Sequence, residues 1–287
     1  MPIELERISF SYKSNDGADV QALSDISLEI AEGEFVGIMG RTGCGKTTFI
    51  QLMAGLLTPA SGKVLLDGHD INQKNYDRKK LRSNISIVFQ FPEYQLFETT
   101  VEKDVAFGLK HLDISRDEAK DRVKWALETM GFSFEAVRSR SPLSLSGGEK
   151  RRVAIAGALV TKPRFLFFDE PIAGLDPINR QSFLEIISQI NQEGTTIVMV
   201  SHNEDAICEY AKRVVVFKDG VLAVDGNVKD VFSNTKMVEG LHLNVGTVRT
   251  VGDMLTKHGI PIPHTATSYN ELFSAIKLAF VPGGLQI

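Results

Sequence analysis

Residues Gly40-Arg41-Thr42-Gly43-Cys44-Gly45-Lys46-Thr47 match G-x-x-x-x-G-K-[ST], with a strand-like apolar run at 35–39 before them and a helical pattern at 47–57 after them. The chemistry needs these residue types at this spacing. Glycines let backbone N–H groups turn inward around phosphate oxygens, where a side chain would block the approach. The helix that follows directs its positive end at the same anion. Lys46 can reach β- and γ-phosphates as a point charge, and the Thr47 hydroxyl can ligate Mg²⁺. Cys44 reads as a small packing residue of the loop. The loop predicts a nucleotide site but does not separate kinases, GTPases, recombinases and motors.

The rest of the chain supplies the frame. Ile8, Phe10 and Tyr12 alternate with Ser9 and Ser11, and Ile26, Leu28 and Ile30 alternate with Ser27 and Glu29, so both stretches read as strands. Asn15-Asp16-Gly17 marks a turn, and 31–34 reads as a hairpin turn into 35–39. A strand at 62–67 with a turn at Asp67-Gly68 and a strand at 85–89 follow. From 91 to 144 helical patterns dominate, as at 116–130, where Ala119, Val123, Ala126, Leu127 and Met130 fall near one face. Short apolar runs then return at 165–168, 196–200 and 213–217, separated by helical segments such as 178–191. Continuous apolar strands alternating with helices predict a mostly parallel sheet covered on both faces, with a helical insertion. Past about residue 235, helical patterns at 248–258 and 269–280 flank a proline-containing link at 260–264 and form a small extension.

Composition closes off other classes. The chain is 43% hydrophobic and 24% charged, which excludes disorder as its main state. Its 32 basic and 36 acidic residues give a net charge of -4, which argues against nucleic-acid binding by bulk charge. Two cysteines, Cys44 and Cys208, are too few for a disulfide framework and point to a reducing compartment. The most apolar runs, 165–168 and 214–217, fall far short of the roughly 20 residues of a spanning helix. Residues 1–10 carry Glu4, Glu6 and Arg7 and lack a signal core. The expectation is a cytoplasmic protein whose membrane role, if any, runs through a partner.

Two further motifs narrow the chemistry. Phe165-Leu166-Phe167-Phe168-Asp169-Glu170 is an apolar strand ending in two acids. Asp169 is placed to hold Mg²⁺ through water, and Glu170 to orient or deprotonate an attacking water. Leu145-Ser146-Gly147-Gly148-Glu149 opens a helical run at 150–159, with Ser146 as N-cap and two glycines baring N–H groups for an anion. One phosphate loop already serves one nucleotide. The economical reading is that this second helix terminus completes the pocket of another subunit.

With these motifs in hand, the sequence resembles the ATP-binding subunits of ATP-binding cassette (ABC) transporters over about residues 3–230. The resemblance implies a P-loop NTPase core with a mostly parallel sheet, an antiparallel β subdomain and a helical insertion at about 91–160, all within 1–235. A C-terminal helical extension at 236–287 follows. It implies that Tyr12 stacks on adenine and that Gly40, Gly43, Cys44, Gly45, Lys46 and Thr47 form the Walker A loop, with Thr48 an adjoining phosphate contact. Gln90 matches the glutamine between core and insertion, and Leu145, Ser146, Gly147, Gly148 and Glu149 match the signature. Asp169 and Glu170 match Walker B and the catalytic glutamate, Ala173-Gly174-Leu175-Asp176 the D-loop, and His202 the switch histidine. Thr47, Gln90 and Asp169 would hold Mg²⁺ beside ATP. Ile172 stands where threonine is usual, and Glu149 where glutamine is frequent; neither removes a catalytic group.

Within the family, Phe89-Gln90-Phe91-Pro92-Glu93-Tyr94-Gln95-Leu96-Phe97-Glu98 is similar to the energy-coupling factor (ECF) group, and most to the second of its two paired ATPases. That resemblance implies an ATP hydrolase on the cytoplasmic face of the membrane, peripheral, energising uptake of vitamins or transition-metal ions. It implies a head-to-tail ATPase pair, with a paralogue or a second copy, and dimer contacts from the extension. A transmembrane coupling subunit would dock near 91–98, beside a membrane substrate-binding subunit, and no nucleic acid would be bound. Two other classes stay in view. Translation or DNA-repair ATPases of the family bring two cassettes or long heptad insertions, absent from this sequence. A nucleotide sensor that does not hydrolyse would have no need of Glu170 and His202.

Overall fold

A computed structural model describes residues 2–13, 17 and 19–280. Asn15 and Asp16 of the expected turn, and residues 281–287 of the expected extension, lie outside them. Strand β1 (Ile3–Tyr12) pairs antiparallel with β2 (Val20–Ile30), Ile3 opposite Ile30 and Tyr12 opposite Val20. In β2, Ile26, Leu28 and Ile30 are buried while Ser27 and Glu29 are exposed, the alternation of a sheet with one wet face. β3 (Phe35–Met39) is buried along its whole length. Helix α1 (Lys46–Met53) is shorter than the 47–57 expected. It stops because Gly55 turns left-handed (φ 66°) and Leu56 N–H donates back to Gln51 C=O at 2.9 Å, a glycine-terminated cap. β4 (Ser61–Leu66) turns at Asp67 and Gly68, both with positive φ, into β5 (His69–Asp70). α2 (Arg78–Asn84) then leads to β6 (Ile85–Val88).

The insertion opens with a 3-10 turn, Pro92–Gln95, and holds α3 (Val101–Ala106), α4 (Arg116–Thr129), α5 (Phe134–Val137) and α6 (Gly147–Leu159). α6 starts three residues before the expected 150, because Ser146 and Glu149 cap it reciprocally. The chain continues through β7 (Phe165–Asp169), α7 (Pro177–Gln192), β8 (Thr196–Val200), α8 (Glu204–Tyr210), β9 (Arg213–Lys218) and β10 (Val221–Asn227). It closes with α9 (Val228–Ser233), α10 (Thr235–Gly240), α11 (Thr247–Lys257) and α12 (Tyr269–Phe280).

Two sheets result. One is antiparallel, in the order β2-β1-β4-β5; the other runs β10-β9-β3-β8-β7-β6 and is parallel except for its edge strand β10. The expected hairpin at 31–34 does not form: β3 leaves β2 and enters the second sheet between β8 and β9. All five residues of β3 are buried, so both its faces need cover, which a one-sided antiparallel sheet cannot supply. Alternate residues of the parallel strands feed two cores. Phe35, Met39, Leu166, Phe168 and Met199 join α7 and the insertion helices, while Val36, Ile38, Phe165, Phe167 and Val198 join α1 and the antiparallel sheet. Parallel direction brings the C-terminal ends of β3, β6, β7 and β8 to one edge of the sheet.

α11 and α12 pack on a small core of their own, Val248, Ile262, Ala266 and Leu272. This segment is tied to α8: the N–H groups of Asn244, Thr247 and Tyr269 donate to the carboxylates of Glu204, Asp205 and Glu209 at 3.0, 2.6 and 2.7 Å. Among the described residues no helix is long and apolar enough to cross a membrane.

Candidate functional site

At the end of β3 the chain reverses through Gly40 (φ 138°) and reaches α1 through Gly45 (φ 100°). A Cβ at Gly40 would lie 2.2 Å from Phe217 O, and one at Gly45 2.6 Å from Ala22 O, so conformation and space both require glycine. Lys46 is only 6% exposed; its Nζ donates to Gly40 O at 2.6 Å and Arg41 O at 3.0 Å, which fixes the ammonium inside the loop. Cys44 is buried, and burial holds its thiol above the usual range, in keeping with a packing role. Thr48 Oγ1 and Tyr12 OH are 3.0 Å apart, and Phe10 supports the half-exposed Tyr12 ring edge-on at 5.0 Å.

The acids at the end of β7 face this loop. Thr47 Oγ1 donates to Asp169 Oδ2 at 2.8 Å. Burial raises the Asp169 carboxyl above its ordinary value, and the Thr47 hydrogen bond and the Lys46 charge oppose the shift. Glu170 follows in a left-handed conformation (φ 51°), the kind of local strain that a surrounding structure must hold in place. Its Oε2 accepts from His202 N–H at 3.3 Å, and its Oε1 lies 3.3 Å from His202 Nε2 but is buried and makes no hydrogen bond. Burial pushes the Glu170 carboxyl up to about 7, against the pull of the His202 N–H and Lys46. Burial, and then the Lys46 charge, lower His202. Burial thus poises one acid near neutrality and disfavours the charged form of the imidazole.

A cavity of about 760 Å³ joins these groups. Tyr12, Gly43, Gly45, Lys46, Thr47 and Thr48 line it, with Gln90 just past β6, Asp169, Glu170 and His202. Gly40 and Cys44 are not on its wall. Val20, Gln21 and Ala22 of β2, Arg180 of α7, and Ser201 and Asn203 also line it and went unread in the sequence. Arg180, four residues past Asp176 on the first turn of a helix, carried a faint signal; the β2 residues carried none. Asp176 caps α7 through Ile178 and Asn179 N–H groups at 3.1 and 3.0 Å, behind Ala173 and Gly174 on the cavity wall. Ile172 is buried in the core and also reaches the cavity.

The Ser146–Gly148 turn stands apart. None of residues 145–149 lines the cavity. Leu145 is buried; Ser146 Oγ accepts from Glu149 N–H at 3.3 Å, and Glu149 Oε2 accepts from Ser146 N–H at 2.8 Å. Glu149 also pairs with Arg140 at 3.0 Å, and its carboxyl is lowered first by the Ser146 N–H. Neither Gly147 nor Gly148 has positive φ, and a Cβ on either would meet no atom within 4 Å. Among the described residues neither space nor backbone conformation requires glycine there.

Along 91–98, Tyr94 is 84% and Phe97 64% exposed, and Phe91 is also exposed, at φ 56°. Leu96 is half-buried against the core, so one of the four large groups serves packing and three face outward. Phe97 meets Phe107 edge-on at 4.8 Å, extending the apolar surface.

Comparison with known proteins agrees with this geometry. The profile of the family described as ABC transporter matches residues 23–173. The energy-coupling factor transporter ATP-binding protein EcfA2 of Caldanaerobacter subterraneus subsp. tengcongensis is 43% identical over 94% of this chain and 95% of its own. The protein of the same name from Clostridium perfringens is 43% identical over 96% of this chain and 97% of its own. Among solved structures, cbiO1 from Clostridium perfringens, described as part of the ABC transporter complex cbiONQ, superposes with a TM-score of 0.73 at 37% identity. That match covers 90% of this chain and 96% of cbiO1. The ATP-binding cassette MJ0796, a dimer bound to ADP and Pi, gives a TM-score of 0.69 at 29% identity over 79% of this chain and 98% of its own.

Proposed function

This chain belongs to the ABC transporter ATP-binding proteins, in their energy-coupling factor group, and we propose that it burns ATP in a cleft it shares with a second ATPase subunit. It is an ATP hydrolase coupled to transport, the ATP-binding subunit of an importer. The observation that carries the shared cleft is the Ser146–Gly148 turn. Among the described residues a Cβ on either glycine would meet nothing, and neither lines the cavity at the chain's own phosphate loop, as expected if the surface they bare serves a triphosphate held by a partner.

The residues divide the work. Tyr12 stacks on the adenine, and the Gly40–Thr47 backbone with Lys46 and Thr48 holds the phosphates. Thr47 and Asp169, with oxygens 2.8 Å apart, and the Gln90 amide form an oxygen-only donor set that suits a hard divalent cation. Mg²⁺ bound there would offset phosphate charge. Glu170 orients the attacking water and accepts its proton in line with the γ-phosphate, and His202 holds that phosphate. Closing on ATP and loosening after hydrolysis follow from contacts that only the triphosphate makes. The aromatic surface at 91–98 receives a transmembrane coupling subunit at the cytoplasmic face, with a separate membrane protein selecting a vitamin or transition-metal ion. The 236–287 extension contributes to ATPase pairing, with a paralogue or a second copy. On this reading the cargo touches no residue of this chain.

Placing two lesions separates a shared cleft from a private one. Lys46→Ala in this chain and a signature-serine change in the second ATPase subunit fall in the same shared site. The assembled complex should then trap one ATP per pair, as with Lys46→Ala alone. No trapped ATP would mean that each chain closes its own site.

A further inference from the structure

Arg151 is 5% exposed, one turn into α6 from the Ser146 cap, and each of its three guanidinium nitrogens donates a hydrogen bond. Nε and Nη2 donate to Glu93 Oε2 and Oε1 at 3.1 and 3.4 Å, and Nη1 donates to Ala173 O at 3.0 Å. Glu93 belongs to the Pro92–Gln95 turn of the exposed aromatic segment, and Ala173 to the loop leading to Asp176. The Phe91 ring lies 6.0 Å from the guanidinium, and a Cβ added at Gly174 would lie 4.0 Å from that ring, so the two loops run close to each other. The neighbouring Arg152 turns away, onto the Phe132 ring. A buried, fully paired Arg is costly to leave half-paired, and only its planar fork reaches a carboxylate and a carbonyl together.

We propose that Arg151 is a positioning residue that links the 91–98 segment to the signature helix and the D-loop, so that the three move as one body. It touches no nucleotide group. Displacing Glu93 shifts the Ser146–Gly148 turn and the Ala173–Asp176 loop together, and both serve the site shared with the second ATPase. This rests on the reading of 91–98 as a docking segment and of 145–149 as partner-facing.

The test uses the assembled transporter carrying Arg151→Lys, Glu93→Gln or both. Lysine keeps the charge but reaches only one of the two acceptors. The expected result is a roughly tenfold fall in kcat for ATP hydrolysis, with KM for ATP within about twofold, measured well below the melting temperature of each variant, which half-pairing the guanidinium lowers. The double variant should be no worse than the poorer single one, since both remove one link. Unchanged kcat, a rise in KM alone, additive losses, or a fall that merely follows lost thermal stability would each overturn the link. Should Arg151→Lys fold poorly, Glu93→Gln, at a partly exposed side chain, decides alone. ATP-driven pairing of the two ATPase subunits without membrane subunits should weaken about tenfold in the same variants. That arm does not depend on where the coupling subunit docks. Lost capture by the membrane subunit in Glu93→Gln would place Glu93 in the docking surface itself and overturn the proposal.

Discussion

Glu170 sits where burial holds a carboxyl at about 7, beside Asp169, Lys46 and a His202 whose charged form burial disfavours. A water-orienting group works when ionised, so hydrolysis should climb between pH 6 and pH 8, and a pH-rate profile checks it. Glu170→Gln should keep ATP binding while hydrolysis falls about a hundredfold or more; near-normal turnover would remove Glu170 from the role. The same shift has a consequence for stability. The carboxyl titrates at an ordinary 4.5 when exposed and at about 7 in the fold, so the folded chain holds the proton more tightly. Its contribution is fully favourable below 4.5 and declines as pH rises through 7. Glu170→Gln should therefore melt higher than the parent at pH 8, and the two should converge toward pH 5. A constant gap across that range would mean that the carboxyl is not desolvated.

The glycine-bearing elements differ in why they need glycine. Gly45→Ala puts a Cβ against the Ala22 carbonyl at positive φ and should lower stability by about 1–3 kcal/mol, as read by thermal denaturation. Gly148→Ala meets no atom and lies in a helical first turn, so stability should hold or rise slightly, while ATP-driven pairing and hydrolysis fall at least about tenfold. Equal hydrolysis in Gly148→Ala would end the case for a partner-facing turn. In the 91–98 segment, Phe91→Ser with Phe97→Ser should abolish capture of the coupling subunit and leave ATP binding intact, because both rings face outward. Leu96 is not a useful probe, since it is tied into the core.

The molecule as a whole is a sheet edge that gathers the cavity-lining loops, a helical insertion that carries the Ser146–Gly148 turn, and a C-terminal segment anchored on α8. That helix begins two residues past His202, so the segment and this cavity-lining histidine share one support. Tyr269, Phe273 and Phe280, spaced i, i+4 and i+11 on α12, leave an exposed apolar stripe. Phe273→Glu should weaken pairing of the ATPase subunits in light scattering about tenfold, with nucleotide affinity of the isolated chain unchanged. Undiminished pairing would exclude this stripe from contact between the ATPase subunits.

Short motifs made most of the reactive residues legible. A phosphate loop, two acids at a strand end and an N-cap before two glycines each draw their chemistry from neighbours a few residues away, and a turn or a helix end acts over that range. Strand and helix periods are equally local, which is why Thr196–Val200 and Tyr269–Phe280 stand where their patterns put them. The crossing at 31–34 was hidden because a tight turn looks alike whether the next strand returns beside the last or leaves for another sheet. Which happens depends on the need of β3 for cover on both faces. The Glu93–Arg151–Ala173 junction, the α8 anchor of the C-terminal segment and the place of Arg180 in the cavity were hidden for a related reason. Their partners lie far apart in the chain, and only packing brings a buried charge to the one carboxylate and carbonyl that can satisfy it.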